Sequence, residues 1–187
     1  MRKVILASAS PRRRELIKYI SDDVTFCSAD IDETFDEKLS ITENVKQIAL
    51  KKAQHISSTV TEDDSIIIGV DTIVCCDEQV FTKPKDEEDA YYMLKSLSAR
   101  SHSVISAVAL ICGGKQIVSC EETKVHFSAL SDEEIWEYIR LEKPFDKAGG
   151  YAVQGRAGVF VEKIEGCYYN IVGLPLNMLS NMIKENF

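Results

Sequence analysis

The chain has 187 residues, of which 45% are hydrophobic and 28% are charged. This length fits one domain of ordinary size or two lobes that share a sheet, and the composition allows a sizeable core and argues against disorder. The formal net charge of −8 argues against general nucleic-acid binding, because neutralising phosphates needs a basic surface. We expect no signal peptide and no membrane helix, since no apolar run approaches the ~20 residues that a span requires.

The cysteines and histidines show no metal-binding pattern. Most of the cysteines lie in apolar, strand-like runs without a CxxC pair, so we expect reduced core residues of a cytoplasmic protein. The three histidines lack metal-ligand spacing, which argues against a histidine-based metal site. The residues concerned are Cys27, Cys75, Cys76, Cys112, Cys120 and Cys167, and His55, His102 and His126.

The first predicted elements are a strand, a serine loop and a helix start. The apolar run Val4–Ala7 predicts a buried strand. Ser10 suits an N-cap and Pro11 the first helical position. Arg12 and Arg13 would add bidentate donors to the free N–H groups and positive dipole end of that helix start. This pattern predicts an anion site suited to a polyphosphate, and the alternative is a solvated face of arginines.

An acidic cluster follows a predicted strand over residues 24–29. Asp30, Asp32 and Glu33 place three carboxylates within four residues. Such a cluster is usually a solvated loop. It also supplies the oxygen ligands that a hard divalent cation such as Mg²⁺ requires, so both interpretations stay open.

A helix is predicted to begin at Ile41, because Ser40 and Glu43 have the spacing of a capping box. Its apolar stripe, at a spacing of 3.6 residues, includes the position of Lys52, whereas Lys51 falls on the polar face. A lysine on an inward face either snorkels or meets an anion, and the sequence does not decide between these outcomes.

Residues 65–76 give the strongest strand signal, apolar on both faces as in a central strand. Asp71 stands in the middle of it. Because burying an unpaired carboxylate costs several kcal/mol, Asp71 must lie at a strand end, at a bulge beside Gly69, or next to a cation. A carboxylate emerging from a central strand is well placed as a general base or metal ligand, and the alternative is a strand-end cap.

The remaining pattern alternates helices and strands, and hairpins come later in the chain. The glycine-rich stretch 144–158 suits a loop lying against a ligand or a plain connection between elements. We predict an α/β fold in which a mixed central sheet is flanked by helices. The predicted elements are a helix from about Asp86, strands over 104–112 and 116–127 joined at Gly113-Gly114, a capped helix from Ser131, a hairpin of 159–164 with 167–172, and a helix over 175–186.

Several short motifs occur in an order and spacing that resemble the Maf family. These are nucleoside triphosphate pyrophosphatases related in fold to inosine triphosphate pyrophosphatases. The resemblance covers essentially the whole chain and implies a single domain over 1–187, with a cleft between two lobes. The motifs are ASASPRR at 7–13, Lys52-Ala53, GVDT at 69–72, Lys83-Pro84, DKAGGYAVQG at 146–155 and VGLP at 172–175.

The resemblance implies hydrolysis of a nucleoside triphosphate to the monophosphate and pyrophosphate with a divalent cation, Mg²⁺ or Mn²⁺. It assigns the general base to Asp71 and the metal to Glu33 and Asp71. Arg12, Thr72 and Gln154 resemble the branch of the family that prefers dTTP and UTP. Val70 and Gly150 depart from the usual residues without removing a functional group. The substrate-binding positions implied are Ser8, Arg12, Arg13, Lys52, Thr72, Lys83 and Gln154.

The family also implies wider properties. We expect a cytoplasmic protein that binds a nucleotide substrate but neither nucleic acid nor membrane, and the sequence leaves open whether it forms a homodimer. Roles in removing non-standard nucleotides and in cell-division arrest are implied as well. The alternative is a non-catalytic nucleotide-binding regulator of septum formation, and the presence of Asp71 and Glu33 argues against it.

Overall fold

A computed structural model describes residues 2–60 and 64–187. The described residues contain seven strands, β1 Val4–Ala7, β2 Val24–Cys27, β3 Ile66–Cys76, β4 Gln79–Phe81, β5 Ser101–Cys112, β6 Lys115–Phe127 and β7 Val161–Glu165. They form one sheet in the order β2-β1-β3-β5-β6-β7, and β4 pairs with β3. The pairs β1–β2 and β1–β3 are parallel, whereas β3–β4 and β6–β7 are antiparallel. The predicted α/β fold with a mixed sheet is therefore confirmed.

Six α-helices lie within the same ranges: α1 Pro11–Leu16, α2 Ile41–Ser57, α3 Glu87–Leu97, α4 Asp132–Glu142, α5 Tyr168–Val172 and α6 Leu176–Asn186. Short 3₁₀ turns cover Ile17–Tyr19, Ala148–Gly150 and Arg156–Phe160. None of these described helices is both long and apolar enough to cross a membrane.

The helices begin where side-chain caps replace missing backbone partners. The Ser10 hydroxyl accepts a hydrogen bond at the start of α1, and Ser40 accepts one from the Glu43 amide at the start of α2. In α4 the bonding is reciprocal, because Ser131 accepts from the Glu134 amide and the Glu134 carboxylate accepts from the Ser131 amide. The predicted helix starts are confirmed.

The chain divides into two compact units. Unit 1 comprises the chain up to Asp71 together with Ser106–Glu121 and Gly173–Phe187, and unit 2 comprises Thr72–Ile105 and Glu122–Val172. Unit 1 has an apolar interior to which β1, α2 and the first half of β3 contribute, with Leu6, Val45 and Ile68 fully buried. The core of unit 2 contains Leu94, Phe127, Ile135, Tyr151 and Phe160.

The predicted hairpin of 159–164 with 167–172 is wrong. Tyr168–Val172 forms α5, and β7 pairs instead with β6. Tertiary hydrogen bonds explain the difference, since the buried Asn170 amide donates to the Val104 carbonyl and to Thr123 Oγ1. A short tyrosine- and isoleucine-containing segment has β propensity, but such a propensity yields to tertiary contacts of this kind.

Candidate active site

A buried ion pair lies within unit 1. Lys52 Nζ is 2.7 Å from Asp71 Oδ1 and 3.0 Å from Glu33 Oε1. Lys52 and Asp71 are only 8% and 7% exposed, whereas the Glu33 side chain is about half exposed. One ammonium group therefore holds together a buried carboxylate from β3 and a more exposed carboxylate from the acidic segment before α2.

Close packing of α2 on β3 explains why Lys52 meets Asp71. A Cβ atom added to Gly69 would stand 2.1 Å from the Ala49 carbonyl oxygen and 2.7 Å from the Ala53 nitrogen. Gly69 and Asp71 are two residues apart on one strand, so their side-chain positions lie on the same face. Lys52 lies three residues after Ala49 on α2, so the two share a helix face. Sequence reasoning missed this role of Gly69, although a glycine inside a strand indicates close backbone approach.

Of the three placements considered for Asp71, the structure shows the third, next to a cation. The pairing of β1 with β3 ends at Ala7 opposite Gly69, so Asp71 stands two residues beyond the end of β1. The strand continues to Cys76, and the strand-end interpretation is therefore wrong. The prediction that Lys52 faces inward and Lys51 outward is confirmed, since Lys51 is exposed.

Arg13 is a further cationic residue of unit 1, and its guanidinium is held by hydrogen bonds. Its guanidinium donates from Nε to the Gly173 carbonyl at 2.8 Å, and from Nη1 to the Val70 carbonyl at 3.0 Å and Ser8 Oγ at 3.4 Å. These bonds link Arg13 to Ser8 in the loop after β1, to Val70 next to Asp71 on β3, and to Gly173 before α6. Arg13 is therefore not part of a solvated face.

Burial lowers the pKa of Arg13, while its electrostatic interactions with Asp71 and Glu33 oppose that change. Arginine stays protonated in proteins. Asp71 thus experiences two positive charges, one through direct contact with Lys52 and one at longer range. Arg12 is half-buried on α1, and Ser8 is 6% exposed.

Three predicted site residues belong to unit 2. Thr72 directly follows Asp71 on β3 and is half-buried, whereas Lys83 and Gln154 are exposed. The segments that carry Lys83 and Gln154 are hydrogen-bonded to each other, because the Gly149 amide donates to the Thr82 carbonyl at 3.1 Å. Unit 2 thus brings together two of the motifs that are 60 to 70 residues apart in the sequence.

Glu33 and Asp71 are suited to a divalent cation. Both supply carboxylate oxygen, and Mg²⁺ typically binds through one or two carboxylates while substrate phosphates and waters complete its coordination. Within residues 2–60 and 64–187, no cluster of three or more His, Cys, Asp or Glu side chains could hold a metal ion.

Comparison with known proteins agrees with this architecture. A family model described as Maf-like protein matches residues 3–186. A dTTP/UTP pyrophosphatase from Clostridium botulinum (strain Eklund 17B / Type B) is 49% identical over 98% of both chains. Another dTTP/UTP pyrophosphatase, from Alkaliphilus oremlandii (strain OhILAs), is 47% identical over 100% of this chain and 97% of its own length.

A solved structure supports the fold independently. The Staphylococcus aureus Ham1 protein superposes with a TM-score of 0.57 at 13% identity, over 99% of this chain and 100% of that chain. At this identity the likeness shows the fold alone. The family match and the full-length relatives show that the chain belongs to the Maf family.

Proposed function

We propose that this chain is a nucleoside triphosphate pyrophosphatase that converts dTTP and UTP to the monophosphate and pyrophosphate. The observation that carries the proposal is the Asp71 carboxylate, buried in a central strand and paired with Lys52 at 2.7 Å. A full-length relative at 49% identity bears the name dTTP/UTP pyrophosphatase, which supports the substrate class.

Asp71 acts as the general base in this proposal. A carboxylate offers several acceptor positions, so an oxygen that accepts from Lys52 leaves capacity for a water molecule. As that water attacks the α-phosphorus, its proton passes to Asp71. The bond to the β-phosphate bridging oxygen breaks, and pyrophosphate leaves. Catalysis of this type depends mainly on positioning and charge stabilisation.

The phosphate groups are held by hydroxyl and cationic side chains. We assign this role to Ser8, Arg12, Arg13, Lys52 and Lys83. Arg13 and Lys52 make further contacts that fix them before substrate arrives, since Arg13 donates to two backbone carbonyls and Lys52 to two carboxylates. Preorganised charge of this kind stabilises developing negative charge without reorganisation at the moment of reaction.

Glu33 and Asp71 would hold a divalent cation, Mg²⁺ or Mn²⁺, together with phosphate oxygens. When bound, such a cation neutralises charge on those oxygens. Lys52, which contacts both carboxylates, keeps them together and limits their mutual repulsion.

Thr72 and Gln154 are proposed to recognise the nucleobase. The Gln154 amide offers both a donor and an acceptor, and these match the O4 acceptor and the N3–H donor of uracil and thymine. Cytosine reverses the two positions, so the amide would have to rotate to pair with it. If the bound base covers the amide, each polar group left unpaired there costs about 1–3 kcal/mol.

Removal of non-standard nucleotides and cell-division arrest are further parts of the proposal, as consequences of nucleotide hydrolysis. A non-catalytic regulator of septum formation would bind a nucleotide and leave it intact. It would have no need for a buried carboxylate such as Asp71, which favours the enzyme.

Product analysis distinguishes these functions. Phosphorus NMR of UTP incubated with the protein and Mg²⁺ should show UMP and pyrophosphate in equal amounts. Release of UDP and orthophosphate would contradict the proposed cleavage position. Binding of UTP with no turnover over hours would instead favour the regulator.

A further inference from the structure

The segment that carries Gln154 has little regular structure of its own. Gly149, Gly150 and Gly155 adopt positive φ angles of 69°, 72° and 103°, and only a 3₁₀ turn interrupts the irregular backbone between α4 and residue 155. A segment with so little regular structure places a side chain accurately only where other contacts fix it.

Tyr151 supplies the buried anchor of this segment. It is 5% exposed, and its ring packs edge-on against Phe127, with 4.8 Å between the ring centroids. Its hydroxyl is hydrogen-bonded to Nε2 of His102 on β5, at 2.7 Å. One residue later, the Ala152 amide donates to the Tyr138 hydroxyl at 3.3 Å. The chain is thus fixed two and three residues before Gln154.

The polar character of the anchor is unexpected in an aromatic core. His102 is 3% exposed, and burial lowers its pKa to about 4 and raises the pKa of Tyr151, so both groups are neutral near pH 7. Among the described residues, His102 Nδ1 is buried without a hydrogen-bond partner. An apolar pair would fill this space without that unsatisfied nitrogen. Compared with an apolar pair, His102 and Tyr151 add a hydrogen bond, which fixes the direction and the distance between the two side chains.

We infer that the His102–Tyr151 hydrogen bond is a positioning device for Gln154 and thereby sets nucleobase selectivity. Neither residue touches the nucleotide; both act through the backbone of residues 151–154. This inference rests on the proposed function for its nucleotide readout, whereas the anchoring itself does not depend on that function.

The test compares Tyr151→Phe and His102→Leu with His102→Gln. The glutamine side chain can place a polar atom near the position of His102 Nε2 and should preserve the bond. Ile135→Val is the matched control, because Ile135 is fully buried in the same core but lies on α4. For each variant we would measure kcat and KM for UTP and CTP, and amide hydrogen exchange of a peptide covering 146–158 without nucleotide.

We expect Tyr151→Phe and His102→Leu to lower the UTP-to-CTP ratio of kcat/KM by about tenfold, mainly through a higher KM for UTP. The double variant should lose no more than either single variant, because both remove the same bond. Exchange of 146–158 should accelerate at least several-fold in both. His102→Gln and Ile135→Val should leave the ratio and the exchange close to wild type.

An unchanged UTP-to-CTP ratio in Tyr151→Phe would overturn the inference, as would unchanged exchange of 146–158. If the wild-type protein hydrolysed neither nucleotide, the proposed function would fail. The exchange comparison would then decide the anchoring by itself, so the two failures are distinguishable.

Discussion

Asp71 is the residue on which the proposed hydrolysis depends most. Asp71→Asn keeps the size of the side chain and removes its proton affinity, so turnover of UTP should fall by roughly 10²-fold or more. Nucleotide binding should survive, because the cationic side chains remain. Steady-state kinetics together with a binding titration check this. Near-native turnover in the variant would remove Asp71 from the mechanism.

Lys52 and Lys51 provide a matched pair of neighbours. Lys52 is buried between two carboxylates, whereas Lys51 is exposed. Lys52→Ala should impair triphosphate hydrolysis and lower the free energy of unfolding by about 3–5 kcal/mol, the usual cost of leaving a buried charge unpaired. Lys51→Ala should change neither quantity appreciably. Denaturant unfolding and UTP kinetics measure both effects, and equal behaviour of the two variants would refute the assignment of Lys52.

Gln154 tests the proposed reading of the pyrimidine. In Gln154→Glu a carboxylate replaces the amide and has no N–H to donate to O4 of uracil or thymine. Turnover of dTTP and UTP should therefore fall more than turnover of the nucleotides that the wild-type protein already hydrolyses poorly. Relative kcat/KM values over several nucleoside triphosphates provide the measurement. A uniform decrease for all of them would show that Gln154 does not read the base.

At the scale of elements, the contact of α2 with β3 at Gly69 sets the site. In Gly69→Ala the new methyl group would meet backbone atoms of α2, so the helix itself must shift. Overpacking of this kind costs typically 1–3 kcal/mol, and UTP turnover should fall along with the free energy of unfolding.

Gly158→Ala is the control for this substitution. An added Cβ there would meet nothing closer than 3.4 Å, so stability and turnover should both stay near wild type. If Gly69→Ala kept full stability and full activity, the close approach of α2 would not be what positions Lys52.

The elements also show which parts of the fold are readable from sequence. Helix starts at Ser10, Ser40 and Ser131 were predictable because a cap and its partner lie within a few residues. The helix α5 was not, because its stability depends on bonds from Asn170 to strands far away in sequence.

In the candidate site, too, local features were predictable from the sequence, whereas contacts between distant residues were not. The periodicity of α2 placed Lys52 on the inner face, and the apolar run placed Asp71 inside a strand. Their contact joins residues 19 apart in the sequence and depends on how a helix packs on a sheet, so sequence reasoning could only state alternatives for each residue. The family resemblance supplied roles for individual residues that neither periodicity nor composition contains.

At the scale of the whole molecule, buried His102 makes stability depend on pH. Its pKa is about 4 in the folded protein against an ordinary value of about 6.5 in the unfolded chain. The unfolded chain therefore binds the proton first, and stability is lost as the pH falls from about 6.5 towards 4. The loss should reach about 3 kcal/mol.

Denaturant unfolding between pH 7 and 4 measures this contribution by comparing wild type with His102→Gln. Other groups titrate in the same range in both proteins, so the difference between the two curves reports His102. The variant should lose less stability on acidification. Parallel curves would show that His102 does not have a depressed pKa.

The proposed activity is tested with a panel of nucleoside triphosphates at equal concentration, scored for pyrophosphate release with and without Mg²⁺. Wild type and Asp71→Asn are assayed side by side. Wild type should release pyrophosphate fastest from dTTP and UTP, this release should require the cation, and Asp71→Asn should nearly abolish it. Faster hydrolysis of GTP or 7-methyl-GTP than of UTP would contradict the substrate assignment, and no pyrophosphate release from any nucleotide would contradict the enzyme itself.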